Sequence, residues 1–391
     1  MKMKLLIITT IFPNPGNMTI GAYNREFVSE LSELFDVDVI APIPWINRIK
    51  FGPTKSWILN NAHVYHPIYY YLPGMLQKFH ALFYYLSIRS IANELSANKK
   101  YSAVIAMWIS PDGAVAQKVA RNLSVPYYVK VLGTDVNRLH SRHPLYSQSI
   151  DVLKNAAMIF CVSEGLKNRL SAIGVSSENL LVIRNGINKN IFIPCNKESA
   201  RNKLQIPENL RLILFVGNLK REKGLYELVQ AFKLIINKNI DNQTALYLIG
   251  EGPFKRDIYQ YVKAEGISDA VHLIGRKDPI DVALWMNAAS VLCLPSYSEG
   301  MPNVVLEALC CNTPVVATAI DGILELAEQD HRITVVPPKE VESLGRALMQ
   351  VLNNNTKASG ELVIKNWSEF AEAVSDVIME NNNEHSGRSQ S

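Results

Sequence analysis

The sequence predicts an α/β protein made of two doubly wound domains, each built on a mostly parallel sheet. Short apolar runs alternate with segments of helical period over almost the whole chain, and the alternation is interrupted once, near residues 185–190. Runs that are apolar throughout fit parallel strands covered by helices on both faces. The length of 391 residues also suits two domains, because one domain usually holds about 100–200 residues.

The first predicted domain spans residues 1–187. Its opening run is interpreted as a buried strand and not as a signal sequence, because Pro13-Asn14-Pro15-Gly16 follows at once without a small-residue cleavage site. The strand candidates are Leu5–Thr10, Val37–Ala41, Ala103–Met107, Tyr127–Val131, Met158–Val162 and Leu180–Ile183. The helix candidates between them are Ala22–Leu34, Met75–Leu95, Ala114–Asn122, Asp151–Lys154 and Gly165–Ile173. This succession is the βαβ pattern of a doubly wound sheet.

The second predicted domain spans residues 188–365 and resumes the alternation after a polar stretch at 188–203. Its strand candidates are Leu212–Val216, Leu246–Ile249, Val271–Ile274, Val291–Leu294, Pro314–Thr318 and Ile333–Val336. Its helix candidates are Leu225–Lys238, Phe254–Glu265, Ile280–Ala288, a segment after Pro302, and Val341–Leu352. A helix over 366–380 is predicted to cross back to the first domain, and the polar residues 381–391 are predicted to be disordered.

The composition excludes several functional classes. A net charge of +4 is too weak to indicate nucleic-acid binding. The odd number of cysteines, five, without a CxxC pair, favours reduced, buried thiols in the cytosol. No apolar stretch reaches the roughly 18–20 residues of a membrane-spanning helix, which predicts a soluble or peripheral protein. Without HExxH or a Cys/His cluster, no protein-bound metal and no other cofactor is expected.

The most informative segment is Glu299–Glu307, E-G-M-P-N-V-V-L-E, which follows the strand candidate ending at Leu294. Gly300 can adopt loop conformations that other residues avoid, and Pro302 fits the start of a helix. Backbone N–H groups at a helix start favour a phosphate, and the two glutamates could accept sugar hydroxyl hydrogens. The alternative is that Glu299 only complements the helix dipole and Glu307 is a solvated helix residue.

This segment resembles the E-x(7)-E motif of the retaining family-4 glycosyltransferases (glycosyl transferases group 1), and the match S-E-G-x-P-x-x-x-L-E-A continues to P-V-V-A-T at Thr318. The resemblance implies the GT-B fold, in which two Rossmann-like domains face each other across a cleft. It places Glu299 against the donor sugar and Glu307 on the nucleotide ribose. Donor binding is expected to include the residues between them, Gly300, Met301, Pro302 and Asn303.

A second segment, G-N-L-K-R-E-K-G at Gly217–Gly224, lies between a strand and a helix candidate and concentrates three cations. Cations in such a turn suit a diphosphate, although a solvated charged loop is the alternative. The segment resembles the family's G-R-L-x-x-x-K-G. Lys223 matches its catalytic lysine, whereas Asn218 stands at the arginine position. Either Asn218 forms a hydrogen bond with less charge, or Arg221 or Lys220 supplies the missing cation.

Three further loops are weaker candidates. Arg276, after a strand and Gly275, is expected near the nucleotide base by resemblance. Gly21, in the first βα loop, could allow a close approach of backbone to the donor phosphate or to the acceptor. Asp135 closes V-L-G-T-D, which resembles the family's H-G-T-D loop with Leu132 in place of histidine. Asp135 is predicted to bind the acceptor hydroxyl or assist as a base, or alternatively to cap a helical turn.

The predicted function is that of a retaining glycosyltransferase, which moves a sugar from a UDP- or GDP-sugar to an acceptor hydroxyl in cell-surface polysaccharide synthesis. The first domain would bind the acceptor, a sugar or lipid-linked saccharide, and the second the donor. The aromatic stretch Tyr65–Tyr85 fits either a core helix or peripheral contact with the inner membrane face. The alternatives are a two-domain binding protein, an epimerase and a sugar-phosphate synthase of the same fold.

Overall fold

The structure is a computed structural model that describes residues 2–14, 16–18, 20–47, 56–71, 77–238, 243–354 and 362–388. The chain divides into two units. Unit 1 comprises residues 1–186 and 365–391, and unit 2 comprises residues 187–364. The boundary expected after residue 187 lies next to this division, and the C-terminal helix falls in unit 1.

Unit 1 contains an eight-stranded sheet in the order β10-β9-β8-β7-β1-β2-β5-β4, in which only β4 is antiparallel to its neighbour. The strands are β1 Lys4–Ile8, β2 Asp36–Ile40, β3 Ile43–Pro44, β4 Trp57–Leu59, β5 Ala62–Tyr65, β6 Ile68–Tyr69, β7 Ala103–Ala106, β8 Tyr127–Val131, β9 Met158–Cys161 and β10 Leu180–Val182. Strands β3 and β6 form a separate parallel pair. The short strands β3 to β6 were not predicted.

The helices of unit 1 alternate with these strands. They are α1 Ala22–Leu34, α2 His80–Asn98, α3 Ala114–Leu123, α4 Thr134–Asn137, α5 Tyr146–Asn155, α6 Glu164–Ala172 and, at the C-terminus, α14 Trp367–Arg388. Helix α2 follows a 3₁₀ turn at Gln77–Phe79, so it begins later than predicted, and the expected start at Met75 lies outside the described residues. The helix predicted at Asp151–Lys154 is only the end of α5.

The C-terminal helix α14 packs against α1 with aromatic side chains. The ring centroids of Phe27 and Phe370 are 5.0 Å apart, and those of Trp367 and Phe370 are 5.6 Å apart. The fully buried ammonium of Lys130, on β8, lies 4.9, 5.4 and 4.6 Å from the rings of Phe27, Trp367 and Phe370. Cation–π attraction to these rings offsets part of its desolvation cost. The helix continues to Arg388, into the stretch from residue 381 that the sequence predicts to be disordered.

Unit 2 contains a six-stranded, wholly parallel sheet. Its strands are β11 Arg211–Val216, β12 Thr244–Ile249, β13 Val271–Gly275, β14 Val291–Leu294, β15 Val315–Thr318 and β16 Ile333–Val336. Its helices are α7 Lys197–Leu204, α8 Leu225–Lys238, α9 Lys255–Ala264, α10 Pro279–Ala288, α11 Asn303–Cys310, α12 Asp321–Ala327 and α13 Val341–Asn353. Helix α7 occupies the polar stretch at 188–203, where no helix was predicted, and Asn196 caps it.

The strand order in unit 2 is β13-β12-β11-β14-β15-β16. The chain therefore builds outward from β11 in one direction and then returns to β14 on its other side, which is the order of a dinucleotide-binding sheet. The point where the direction reverses lies between β11 and β14. In unit 1 the corresponding reversal lies between β1 and β7. Loops that leave neighbouring strands at such a point open a crevice for ligands.

Candidate active site

The two loops with the strongest sequence signals leave the neighbouring strands β11 and β14 of unit 2. Gly217–Gly224 connects β11 to α8, and Pro295–Pro302 connects β14 to α11. The two loops pack backbone to backbone at Gly224. This glycine has a φ of +67°, and a Cβ atom there would lie 2.0 Å from the carbonyl oxygen of Pro295. Only glycine avoids both the strained φ and this overlap.

The Nζ atom of Lys223 donates a hydrogen bond to Oε1 of Glu299. The two side chains are 22% and 16% exposed, so the ion pair is partly screened from water but still reachable by a ligand. Two predicted catalytic residues are thus brought together at the strand reversal. The pair presents one positive and one negative group side by side, which suits a ligand with a diphosphate and sugar hydroxyl groups.

The loop that carries Glu299 is held at several points. The Thr318 hydroxyl donates to the Ser296 carbonyl oxygen. The N–H of Tyr297 donates to the Glu222 carbonyl oxygen at 2.9 Å. These bonds fix the loop to β15 and to the cation loop, respectively.

The residues between the two glutamates line the start of α11. Gly300, Met301, Pro302 and Asn303 are buried. A Cβ atom on Gly322, at the start of α12, would lie 2.3 Å from the Gly300 carbonyl oxygen. The start of α12 therefore packs closely against this loop. Pro302 directly precedes the helix, with a φ of −80° and a ψ of 94°, whereas the sequence placed it in the first turn. Among the described residues, no side chain forms a capping hydrogen bond at this helix start.

Glu307 lies in the second turn of α11 and is 7% exposed. The interpretation of Glu307 as a solvated helix residue is therefore wrong. Its carboxylate lies close enough to the Cys310 and Cys311 thiols to contribute to their raised pKa values, of which burial is the main cause.

The remaining donor-loop candidates are more exposed. Asn218 and Arg221 are exposed on the loop after β11, where Lys220 forms a 3.9 Å surface ion pair with Glu222. Arg276 is also exposed and follows β13, which is separated from β11 by β12. The sheet order thus places Arg221 beside the Lys223–Glu299 pair, whereas Arg276 lies at the sheet edge.

Gly21 and Asp135 belong to unit 1. Gly21 directly precedes α1 with a φ of +64°, and a Cβ atom there would lie 2.4 Å from the Ile11 carbonyl oxygen. That oxygen also accepts a 2.8 Å hydrogen bond from Nδ2 of Asn24. Gly21 therefore allows the first βα loop to close tightly on itself.

Asp135 occupies the loop after β8. Its Oδ1 accepts hydrogen bonds from the N–H groups of Leu132, Gly133 and Val136 at 3.2, 2.9 and 3.1 Å. These bonds fix the turn that leads into α4, but Asp135 lies inside this helix, and its N-cap residue is Gly133, without a side-chain cap among the described residues. Its Oδ2 is buried and has no hydrogen-bond partner among the described residues. Burial raises the pKa of Asp135 to about 6, although the backbone donors oppose the shift.

Asp112 is a candidate that sequence reasoning missed. It follows β7 and is fully buried, and both its oxygens accept from the N–H of Thr10 at 3.1 Å. Burial raises its pKa to about 7, and the charge of Asp135 adds to the shift. The carboxylate thus joins the loops after β1 and β7 at the strand reversal of unit 1. An aspartate in the loop that follows the strand candidate Ala103–Met107 was the signal that could have found it.

The described part of the chain contains no helix with the length and hydropathy of a membrane span. It also contains no group of three or more His, Cys, Asp or Glu side chains that could hold a metal ion. The five cysteines are free. Cys161, Cys293 and Cys311 are buried and Cys310 is partly buried, whereas Cys195 is exposed, so the expectation of buried thiols is wrong at Cys195.

Comparisons with known proteins agree with the fold and the donor-loop motifs. Residues 196–372 match the family model of glycosyl transferases group 1. The chain is 28% identical to the glycosyltransferase TuaC of Bacillus subtilis, which is named for teichuronic acid biosynthesis, over 88% of each chain. It is 27% identical to an uncharacterized glycosyltransferase of Methanocaldococcus jannaschii, over 95% of this chain and 94% of the relative.

Two solved structures resemble nearly the whole chain. Sucrose-phosphate synthase from Thermosynechococcus elongatus superimposes with a TM-score of 0.77 at 19% identity, over 99% of each chain. Anabaena HepE in complex with UDP-glucose superimposes with a TM-score of 0.72 at 16% identity, over 99% of this chain and 100% of that one. At these identities the likeness establishes the fold, which is GT-B. The family match shows that the chain is similar to glycosyl transferases of group 1 over residues 196–372, which include both donor-loop motifs.

Proposed function

We propose that the protein is a retaining glycosyltransferase that uses a UDP- or GDP-sugar and an acceptor hydroxyl in cell-surface polysaccharide synthesis. The observation that carries the proposal is the contact between Lys223 and Glu299 at the strand reversal of unit 2. The name of TuaC supports the pathway. The UDP-glucose complex of HepE supports a nucleoside diphosphate sugar as donor.

In the proposed reaction, the bond between the anomeric carbon and the diphosphate oxygen breaks while a bond to the acceptor oxygen forms on the same face of the sugar. The acceptor proton passes to the departing diphosphate, so no protein nucleophile is required. Positive charge must stabilise the leaving group. Lys223, Arg221 and the N–H groups at the start of α11 supply it in this proposal, without a protein-bound metal.

The other residues have supporting roles in the proposal. Glu299 orients the donor sugar and Glu307 binds the nucleotide ribose. Asn218 substitutes a neutral hydrogen-bonding group for the arginine of the family motif. Gly300, Met301, Pro302 and Asn303 shape the phosphate-binding helix start. Gly21 lies against the donor phosphate, and Arg276 lies near the nucleotide base. Asp135 contacts the acceptor hydroxyl.

The test is a screen of UDP-, GDP- and ADP-sugars with the purified protein, measuring release of the nucleoside diphosphate. We expect release from a UDP- or GDP-sugar, an unchanged anomeric configuration in the product by NMR, and loss of nucleotide binding in Glu307→Ala. Glu328→Ala, which changes an exposed glutamate of the same unit, should bind normally. Binding of the nucleotide sugar without release of the nucleoside diphosphate would support a binding protein. A chemically altered sugar without such release would support an epimerase. Release that requires a sugar phosphate would support a synthase.

We further propose that the enzyme works at the cytoplasmic membrane face, on a lipid-linked acceptor. Phe79, Leu82 and Leu86 are 49%, 44% and 45% exposed and share one face at the start of α2 by their helical spacing. Tyr70 is 58% exposed, and its N–H donates to Ser87 of the same helix at 3.2 Å. We call Tyr70, Phe79, Leu82 and Leu86 the α2 patch.

The charges around the α2 patch favour an anionic surface. Lys78 precedes Phe79, and Arg89 follows Leu86 by one helical turn; both are exposed. On the neighbouring helix α3, the exposed Lys118 places its ammonium 4.3 Å from the ring centroid of Tyr85 on α2, and Arg121 is also exposed. Glu94 is the exposed acid on the described part of α2. Apolar side chains flanked by cations bind anionic lipid head groups by combined burial and attraction.

A further inference from the structure

Tyr297 stands two positions before Glu299 and connects its loop to helix α8. The Tyr297 hydroxyl donates to Oε1 of Glu227, on the first turn of α8, at 2.6 Å. Its N–H is bonded to Glu222, which precedes Lys223. The tyrosine therefore contacts, through two different atoms, the segment that carries the lysine of the ion pair.

The ring of Tyr297 is also held from the loop after β16. The ammonium of Lys339 lies 4.9 Å from the ring centroid, and Lys339 has a φ of 65° although it is not a glycine. Non-glycine residues keep this conformation only where the surroundings stabilise it. Three loops at the carboxyl edge of the sheet, those after β11, β14 and β16, thus meet at Tyr297.

The bond between Tyr297 and Glu227 belongs to the stronger class of hydrogen bonds. A hydroxyl that donates to a carboxylate forms a short, charge-assisted bond. Burial, followed by the interaction with Glu227, raises the pKa of Tyr297 to about 12, so the hydroxyl keeps its proton at neutral pH. The other oxygen of Glu227 is buried and has no hydrogen-bond partner among the described residues. The carboxylate therefore relies on Tyr297.

We infer that Tyr297 and Glu227 are positioning residues that fix the loop carrying Glu299 and so set where its carboxylate meets Lys223. The inference rests on the proposed function, because these two residues would affect the reaction only through the position of Glu299 in the donor site. In the proposed reaction, neither Tyr297 nor Glu227 touches the reacting atoms. Their effect passes through Glu299, and a small displacement of a catalytic group has a large kinetic cost.

The test is a double-mutant cycle on the full chain with the donor that the nucleotide-sugar screen identifies. Tyr297→Phe should lower kcat about tenfold to a hundredfold, whereas the KM for the donor should change less than about threefold. Glu227→Gln should behave similarly and serves as the second variant if Tyr297→Phe folds poorly. In a Glu299→Gln background, Tyr297→Phe should have almost no further effect, because residues that act through one group are non-additive.

Tyr247→Phe is the matched control, because Tyr247 lies on β12 and packs against His272 and Trp285. It should keep the kcat of the wild type. The inference is overturned if Tyr297→Phe and Glu227→Gln both keep full kcat, or if their effects add to that of Glu299→Gln. Failure of the wild type to release nucleotide from any donor would instead overturn the proposed function.

Discussion

The ammonium of Lys223 and the carboxylate of Glu299 are in contact although 76 residues separate them in the chain. They meet because β11 and β14 are neighbours in the sheet, although the elements α8, β12, α9, β13 and α10 lie between them in sequence. The contact pairs one residue of the cation loop with one residue of the E-x(7)-E segment. The two motifs therefore form one site.

Replacement of either partner should abolish most of the transferase activity. Lys223→Met removes the charge that faces the leaving diphosphate, and we expect kcat to fall about 10²–10³-fold, the usual cost of losing one electrostatic group. Glu299→Gln should lower kcat comparably. The measurement is release of the nucleoside diphosphate at saturating donor. Lys220→Met removes an exposed cation from the same loop and should stay within about threefold of the wild type. An equal loss in both lysine variants would indicate that only the net charge of the loop matters.

The packing of the two loops predicts an unequal response of two glycines with the same backbone conformation. Gly224 and Gly266 have φ values of +67° and +68°, but a Cβ atom at Gly266 would meet nothing within 4 Å. Gly266→Ala should therefore cost only about 1 kcal/mol, the penalty of the left-handed conformation. Gly224→Ala adds the overlap with Pro295, so it should lower the free energy of unfolding by clearly more than Gly266→Ala does. Urea unfolding of both variants measures the difference, and similar values would contradict the close packing.

Asp112 should make the stability of the protein depend on pH. Burial raises its pKa to about 7, whereas an unfolded aspartate titrates near 3.9. Between these values the folded state holds a proton that the unfolded state has released, so stability falls as the pH rises from about 4 to about 7. The Asp112→Asn variant lacks this ionisation.

Unfolding by urea across that pH range should therefore show the Asp112→Asn variant gaining stability relative to the wild type as the pH rises. Asp376→Asn changes an exposed carboxyl of the same unit and should leave the pH dependence as it is. A constant difference between wild type and Asp112→Asn would show that Asp112 is ionised throughout.

Lys130 should produce a pH dependence of the opposite sign. Burial lowers its pKa to about 7, far below the value of about 10.4 in an unfolded chain. Between these values the unfolded state binds the additional proton, so stability rises with pH through this window. Lys130→Met keeps the side-chain volume and removes the titration. The wild type should gain stability relative to this variant between about pH 7 and pH 10, measured by urea unfolding. A flat difference would indicate that the three aromatic rings keep the ammonium charged.

The α2 patch predicts binding to anionic vesicles. The wild type should sediment with phosphatidylglycerol vesicles and much less with phosphatidylcholine vesicles, and binding should weaken as salt is added. The double variant Leu82→Glu/Leu86→Glu should lose about tenfold or more in affinity. Leu324→Glu changes a leucine of unit 2 that is 40% exposed and should bind as the wild type does. Equal binding to both vesicle types, or no effect of the double variant, would contradict the proposed surface.

The sequence determined the fold class and the type of chemistry. Apolar runs and helical period are local properties, so the strands Tyr127–Val131 and Val291–Leu294 and the helix Ala22–Leu34 were predicted with the bounds that the structure shows. The spacing of Glu299 and Glu307 is also local, and it led to the family whose model matches residues 196–372.

Only the tertiary structure decided which of these residues meet. Sequence spacing does not encode strand order, and the order β12-β11-β14 brings Lys223 to Glu299 while it leaves Arg276 at the sheet edge. The same is true of Asp112, whose carboxylate binds the backbone of Thr10, 102 positions earlier in the chain. Burial is a further property of the assembled fold, and it raises the pKa of Asp112 and lowers that of Lys130. The sequence thus identifies the candidate residues one by one. The neighbours and the solvent exposure that determine their chemistry arise from the packing of distant segments.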